Sequence, residues 1–284
     1  MIPGAFEYHR PESVDAVVSL LVEKGDDARV IAGGHSLIPV MKQRITDISH
    51  LVDLAGVASL KGISIDGGRI TIGAMTTQNE LITSDELAAK APIIREASLQ
   101  IADPQVRNLG TIGGNVANGD PANDMPGLMQ TLDATYHLAG PDGERAVAAR
   151  DFYEAAYFTA REDEEILTAV SFDVPTGGYA YVKQKRKIGD YATAAAGVLL
   201  TVEGGSCTSA SVALTNLSDT PVYCEDAVGI LVGSSLDDDT VAAAVKAAVG
   251  ASNPVADTRG PVDFKKYVAG VIVKAAIESA RSRA

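Results

Sequence analysis

Between Asp103 and Pro126 the chain reads DPQVRNLGTIGGNVANGDPANDMP. Gly110, Gly113, Gly114 and Gly119 fall within ten positions, with Thr111, Asn115, Asn118, Asp120 and Asp124 among or just after them. Glycines let a backbone approach a ligand closely and reach positive φ. Thr, Asn and free backbone N–H groups are the donors an anion requires. A shorter stretch of the same kind lies upstream at Ala32-Gly33-Gly34-His35-Ser36. The pairing predicts two Gly-rich loops, distant in sequence, closing on one phosphate-bearing ligand. Neither stretch matches GxGxxG or GxxxxGK[ST], which disfavours a dinucleotide-binding Rossmann unit and a P-loop. A Gly-Gly after a strand is more often a turn than a site. TIGGN at 111–115 is harder to dismiss, because Asp124 follows it. N–H donors for a pyrophosphate and a carboxylate for sugar hydroxyls suit a dinucleotide. On chemistry alone the ligand loop and the plain turn both stand.

The whole chain narrows the field by exclusion. Its 284 residues suffice for one large domain or two to three smaller ones. A formal charge of −13 disfavours nucleic acid. The one basic cluster, Lys183 to Lys187, reads equally as a solvated strand or a functional patch. Two cysteines without CxxC spacing make no disulfide framework. The four histidines, at 9, 35, 50 and 137, lack metal-binding spacing, so no metal is expected on this chain. The first residues lack a secretory apolar core, and no run nears the ~18 apolar residues of a membrane span. A cytoplasmic protein is the expectation.

Periodicity supplies the elements. Residues 1–10 read as an extended arm, and Pro11 and Glu12 as the opening of a helix with an apolar face of Val14, Val17, Val18 and Leu21. Ala28–Ile31 and Leu51–Leu54 read as strands flanking a short helix capped by Ser36. Leu60–Ile65 and Arg69–Ile72 predict a hairpin about Asp66-Gly67-Gly68, and Thr83 with Glu86 a capping box. A helix restarts at Pro92 and another at Pro126. Thr135–Leu138 with Arg145–Ala148 predict a second hairpin, and Ile166–Val174 a strand. Thr176-Gly177-Gly178 is the best linker. Beyond it, Tyr179–Lys187, Ala194–Val202 and Thr208–Leu214 predict a three-stranded meander, then three helices. Tyr191 reads first as a packed tyrosine and second as an aromatic ring against a flat cofactor.

AGGHS at 32–36, TIGGN at 111–115 and GDPANDMP at 119–126 resemble the flavin-binding subunit of the molybdenum hydroxylases, the xanthine dehydrogenase group. The resemblance runs from Pro3-Gly4-Ala5-Phe6 to the terminal helix. Within the group, AGGHSLIPVMK, IGAMTTQ, IADPQVR and KRKIGDYATAAA are most similar to the branch that oxidises carbon monoxide. It implies an α+β fold: a PCMH-type FAD-binding domain over 1–175, in lobes of roughly 1–56 and 57–175, then a C-terminal domain over 176–284 of a three-stranded antiparallel sheet with helices. It implies FAD held by Ala32, Gly33, Gly34, His35, Ser36 and Leu37 on one side. Thr111, Gly113, Gly114 and Asn115 stand on the other, with Ile101 beside them. Asp124 would meet the FAD side chain, Leu167 the adenine end, and Lys183 and Tyr191 the flavin. Lys187 replaces an Arg common in relatives, losing the bidentate fork.

The resemblance also implies that no catalytic residue or metal lies on this chain. A large partner would carry the molybdopterin-type cofactor and a small partner two [2Fe–2S] clusters, in a dimer of heterotrimers. Electrons would leave to a respiratory acceptor, the complex lying in the cytoplasm or at the inner face of the membrane. NAD is not implied. Other substrates of the group (xanthine, aldehydes, aromatics), a stand-alone flavin oxidoreductase and a cofactor-free assembly module remain the alternatives.

Overall fold

The structure, a computed structural model, describes residues 2–284. The first lobe contains β1 (Glu7–His9), α1 (Val14–Lys24), β2 (Ala28–Ile31), α2 (Leu37–Gln43) and β3 (His50–Asp53). Its sheet has the order β1-β3-β2, with both pairings parallel. The predicted arm is thus partly a strand, anchored where Glu7 N–H donates to Ser49 O at 2.8 Å. α1 begins later than Pro11 because Ser13 is extended and its hydroxyl accepts from Ala16 N–H. Val17, Val18 and Leu21 are its buried face. Ser36, expected as a cap, is already helical and makes no capping bond. Ile38 N–H donates instead to Gly34 O.

The second lobe comprises β4 (Ile63–Asp66), β5 (Arg69–Gly73), α3 (Gln78–Thr83), α4 (Asp85–Lys90), α5 (Pro92–Ser98), α6 (Pro104–Leu109), α7 (Ile112–Ala117), α8 (Asp124–Thr131), β6 (Thr135–Gly140), β7 (Gly143–Ala148), β8 (Tyr153–Ala155), β9 (Phe158–Thr159) and β10 (Ile166–Asp173). Five of these strands form an antiparallel sheet, β4-β5-β10-β6-β7. The capping box lies one helix earlier than expected: Thr77 and Glu80 bond reciprocally at the start of α3, while Ser84 caps α4. Thr83 donates back to Asn79 O. α8 starts at Asp124, two residues ahead of Pro126.

The C-terminal part contains β11 (Gly178–Gln184), β12 (Ala194–Glu203), β13 (Ser206–Thr215), β14 (Val222–Tyr223), α9 (Glu225–Leu231), α10 (Asp238–Ala251) and α11 (Val262–Arg281). Its antiparallel sheet has four strands rather than three, because two-residue β14 adds to β13. So short a strand has no alternation to read. Of the clustered basic residues, Lys183 pairs inward with Asp124, while half-exposed Arg186 pairs at the surface with Asp190. The presumed linker is tightly packed. A Cβ on Gly178 would collide with Ala280 O of α11, and one on Gly177 with Leu200 O of β12.

α8 fastens this sheet to the second lobe. All eight of its residues are buried, and the fit is notched. A Cβ on Gly127 would strike the Thr215 hydroxyl of β13, and one on Gly197 of β12 would strike the Thr131 hydroxyl of α8. Each glycine makes room for a threonine from the other element, so the backbones approach closely.

Just before β10, Glu165 accepts both arms of the Arg145 guanidinium, at 2.6 and 2.7 Å, and Glu162 N–H at 2.8 Å. These donors, Arg145 foremost, hold its carboxyl below the usual carboxylate range. A depressed folded-state value contributes stability above the unfolded value, near 4.3, and loses it as pH falls through the folded value. Glu165→Gln should therefore flatten the acid limb of stability below pH ~4.5. Denaturant midpoints measured from pH 7 down to pH 3 check this, and an unchanged acid slope would refute the clamp.

Candidate cofactor-binding cleft

All three parts of the chain meet at one cleft of about 640 Å³, within the ~300–1,000 Å³ span of cofactor sites. The first lobe contributes the turn between β2 and α2. The second contributes the Asp103–Asp124 stretch and the start of β10. The C-terminal part contributes Lys183 and Gly189–Tyr191. Every residue expected at a cofactor lines it: Ala32 to Leu37, Ile101, Thr111, Gly113, Gly114, Asn115, Asp124, Leu167, Lys183 and Tyr191.

The turn after β2 is the strongest anion-binding element. Among the described residues, the backbone N–H groups of Gly33, Gly34, His35, Ser36 and Leu37 have no acceptor within the chain. Gly34 has φ +74°, which turns consecutive N–H groups toward a common side as an anion nest does. Gly33 is glycine for another reason: a Cβ there would collide with Leu109 O, while Gly110 lies beside the His35 ring. The two Gly-rich segments therefore touch, and the contact needs the bare backbone of Gly33.

The second segment is not a loop. Thr111 caps α7, and Gly113 and Gly114 lie in its first turn. Their N–H groups are already used. Gly113 donates to Ala74 O at 2.9 Å, Gly114 to the Thr111 hydroxyl at 3.0 Å, and Asn115 to Thr111 O at 3.0 Å. Gly113 is glycine because a Cβ would sit 2.5 Å from that of Ala74. What this segment still offers a ligand is side-chain chemistry, the Thr111 hydroxyl proton and the Asn115 amide. The Asn115 carbonyl groups are engaged by Met125 N–H and the Asn123 amide.

Asp124 is occupied too. Its oxygens accept from Tyr181 Oη and from Lys183 Nζ, both at 2.7 Å, and Lys183 also donates to Gln100 O at 3.2 Å. The Lys183 and Asp124 side chains are only 1% and 5% exposed. Burial pushes the Asp124 carboxyl up, against the pull of Lys183 and Tyr181. The carboxylate expected at a sugar is thus the floor of the cleft, tying β11 to α8. Tyr191 stands at the rim, 44% exposed, with the Arg259 guanidinium 5.4 Å from its ring centre. Its neighbour Gly189 rests on Ala102 O. Leu167 sits in β10 at a register shift against β6.

Sequence reasoning passed over several wall residues. Arg161 donates to the carbonyls of Glu162, Asp163 and Glu165, and burial lowers its affinity for the proton. Gln78, 2% exposed, has no hydrogen-bond partner for either amide atom. Tyr157 reaches the rim from a residue with φ +62°. The Gly-flanked motifs carried a readable signal. These three are placed by chain crossings, which leave none.

The unpaired N–H run and the close contact of the two segments suit a pyrophosphate, and the depth of the cleft suits an extended ligand. Comparisons with known proteins agree. A family profile described as the FAD binding domain in molybdopterin dehydrogenase matches residues 4–176. The chain belongs to this family of FAD-binding molybdopterin dehydrogenase components. A second profile, the CO dehydrogenase flavoprotein C-terminal domain, matches 179–280. The carbon monoxide dehydrogenase medium chain of Afipia carboxidovorans is 57% identical, over 100% of this chain and 99% of its own length. That of Hydrogenophaga pseudoflava is 42% identical over 100% and 99%. A crystal structure of Cu,Mo-CO dehydrogenase in its cyanide-inactivated form superposes with a TM-score of 0.98, covering 100% of both chains.

In this family member the Lys183–Asp124 pair carries a direct stability test. Removing one partner of a buried ion pair leaves the other charged and unpaired, at a cost of about 3–5 kcal/mol. Lys183→Met or Asp124→Leu alone should lose that much in denaturant unfolding. The double variant should recover more than half, because an apolar pair of similar volume replaces both charges. Additive losses in the double variant would rule out the coupling.

Proposed function

We propose that this chain is the FAD-carrying electron-transfer subunit of an aerobic carbon monoxide dehydrogenase. The observation that carries the reading is full-length similarity to carbon monoxide dehydrogenase medium chains, joined to a cleft whose free donors match a dinucleotide pyrophosphate. The oxidation of CO with water to CO2 would occur on a large molybdopterin-bearing partner, and a small [2Fe–2S] partner would deliver electrons here. A dimer of such heterotrimers and a respiratory acceptor complete the assembly. The domain division follows the junction near 176–178.

Bound FAD supplies exchange between one-electron and two-electron carriers. The chain's own residues bind and orient. The Gly33–Leu37 N–H groups hold the pyrophosphate, helped by the Thr111 hydroxyl and the Asn115 amide. Ile101 and Leu167 provide apolar walls, the Lys183–Asp124 pair closes the floor, and Tyr191 covers the mouth. No group on this chain is asked to move a proton. The ionisable side chains that reach the floor, Asp124 and Lys183, neutralise each other.

Gly33→Val tests the two-segment site, because its side chain would force Leu109–Gly110 away. The wild-type chain should bind FAD and, at a hundredfold excess over Kd, gain about 2.7 kcal/mol in stability. The variant should stay folded by circular dichroism yet lose both the flavin absorbance and this gain. Riboflavin, lacking phosphate, should compete poorly. Stoichiometric FAD in the variant would overturn the site, and a wild-type chain that binds none, alone or with partners, would overturn the function.

A further inference from the structure

A second set of ligand-bearing side chains lies on the first lobe, outside the cleft. β1 and β3 run parallel with Glu7 opposite His50. Residues two apart on a strand share a face, so Glu7 and His9 both meet His50. His9 Nε2 and His50 Nδ1 are 3.1 Å apart. Glu7 Oε2 lies 3.1 Å from His50 Nδ1 and 3.9 Å from His9 Nε2. Two imidazole nitrogens and one carboxylate oxygen thus converge as a triangle. Tetrahedral zinc with bonds of 2.0–2.1 Å sets its ligands about 3.3 Å apart, which these edges straddle. The His side chains are 23% and 18% exposed and Glu7 is 70% exposed, so a fourth position faces solvent. The neighbouring charges, Glu23 and Lys24 of α1, pair with each other at 2.9 Å and add little net charge.

We propose that Glu7, His9 and His50 form a binding site for one divalent ion of the zinc class, with water as the fourth ligand. Two nitrogens and one oxygen favour zinc or a neighbouring transition ion over calcium or magnesium, which take oxygen shells. The ion would staple β1, held to β3 by only three residue pairs, to the body of the lobe. Scattered positions 9 and 50 argued against a metal in the sequence, and it is the parallel pairing that makes them neighbours.

The test uses the full chain, stripped with chelator and titrated with zinc chloride by calorimetry in a non-chelating buffer. One equivalent should bind, and cobalt(II) should give the visible bands of a tetrahedral N/O site. His9→Ala/His50→Ala should abolish saturable binding, and Glu7→Gln, which keeps both imidazoles, should weaken it about tenfold or more. Zinc should raise the thermal midpoint of the wild type and leave that of the double variant unchanged. Absent saturable binding to the wild type, or equal binding by the double variant with its fold intact by circular dichroism, would overturn the site.

Discussion

The buried Lys183–Asp124 ion pair is the interaction on which the arrangement of the cleft depends. Lys183 comes from the first strand of the C-terminal sheet and Asp124 from the first turn of α8. A charged pair this far from water is stable only when its remaining donors and acceptors are bonded. Tyr181 Oη and Gln100 O meet that demand. The same strand is fixed to α5 by Glu96, which accepts from Tyr181 N–H at 2.7 Å, and to the turn after α5 by the Gln100 amide, which donates to Tyr181 O. Arg283, near the end of the chain, closes the set by donating to Glu96 and to Tyr179 O. β11 is thus locked in register against the second lobe by directional bonds. That register brings the Gly189–Tyr191 turn to the mouth of the cleft.

The apolar side of the junction is equally directional. α8 lies buried on every face, so it must be seated by shape rather than by an amphipathic stripe. The Gly127–Thr215 and Gly197–Thr131 notches supply that shape. Asp124, at the head of the same helix, is positioned by this seating. The floor of the cleft and the interlobe packing are therefore one mechanical unit, and a change at Thr131 or Thr215 would be felt at Lys183.

Much of this was legible in the chain because glycine has few reasons to recur. Gly33 and Gly113 marked the places where backbone meets backbone, and the strands of the two hairpins followed from alternation. What stayed hidden depends on contacts between distant segments. TIGGN reads as a loop because Gly is a poor helix former, yet Thr111 caps it and Ala74 O and Thr76 O receive its first N–H groups. Asp124 reads as a free carboxylate because nothing local announces Tyr181 and Lys183, more than fifty residues away. β14 and the β1 pairing were missed for the same reason. A strand of two or three residues is defined by its partner.

These hidden pairings change what the two Gly-rich segments do. The upstream turn, the weaker signal in sequence, keeps five free N–H groups. The stronger signal spends its backbone donors on the second lobe itself. A dinucleotide in the cleft would therefore be gripped mainly by the first lobe and shaped by the second. The contact between Gly33 and Leu109 becomes the hinge on which affinity turns: if the lobes separate there, the free donors remain but the opposing wall is lost. The lobes already share a buried core that joins Val17 and Val52 to Met75 and Ile166, so a cofactor in place would bridge and stiffen a seam that is closed without it.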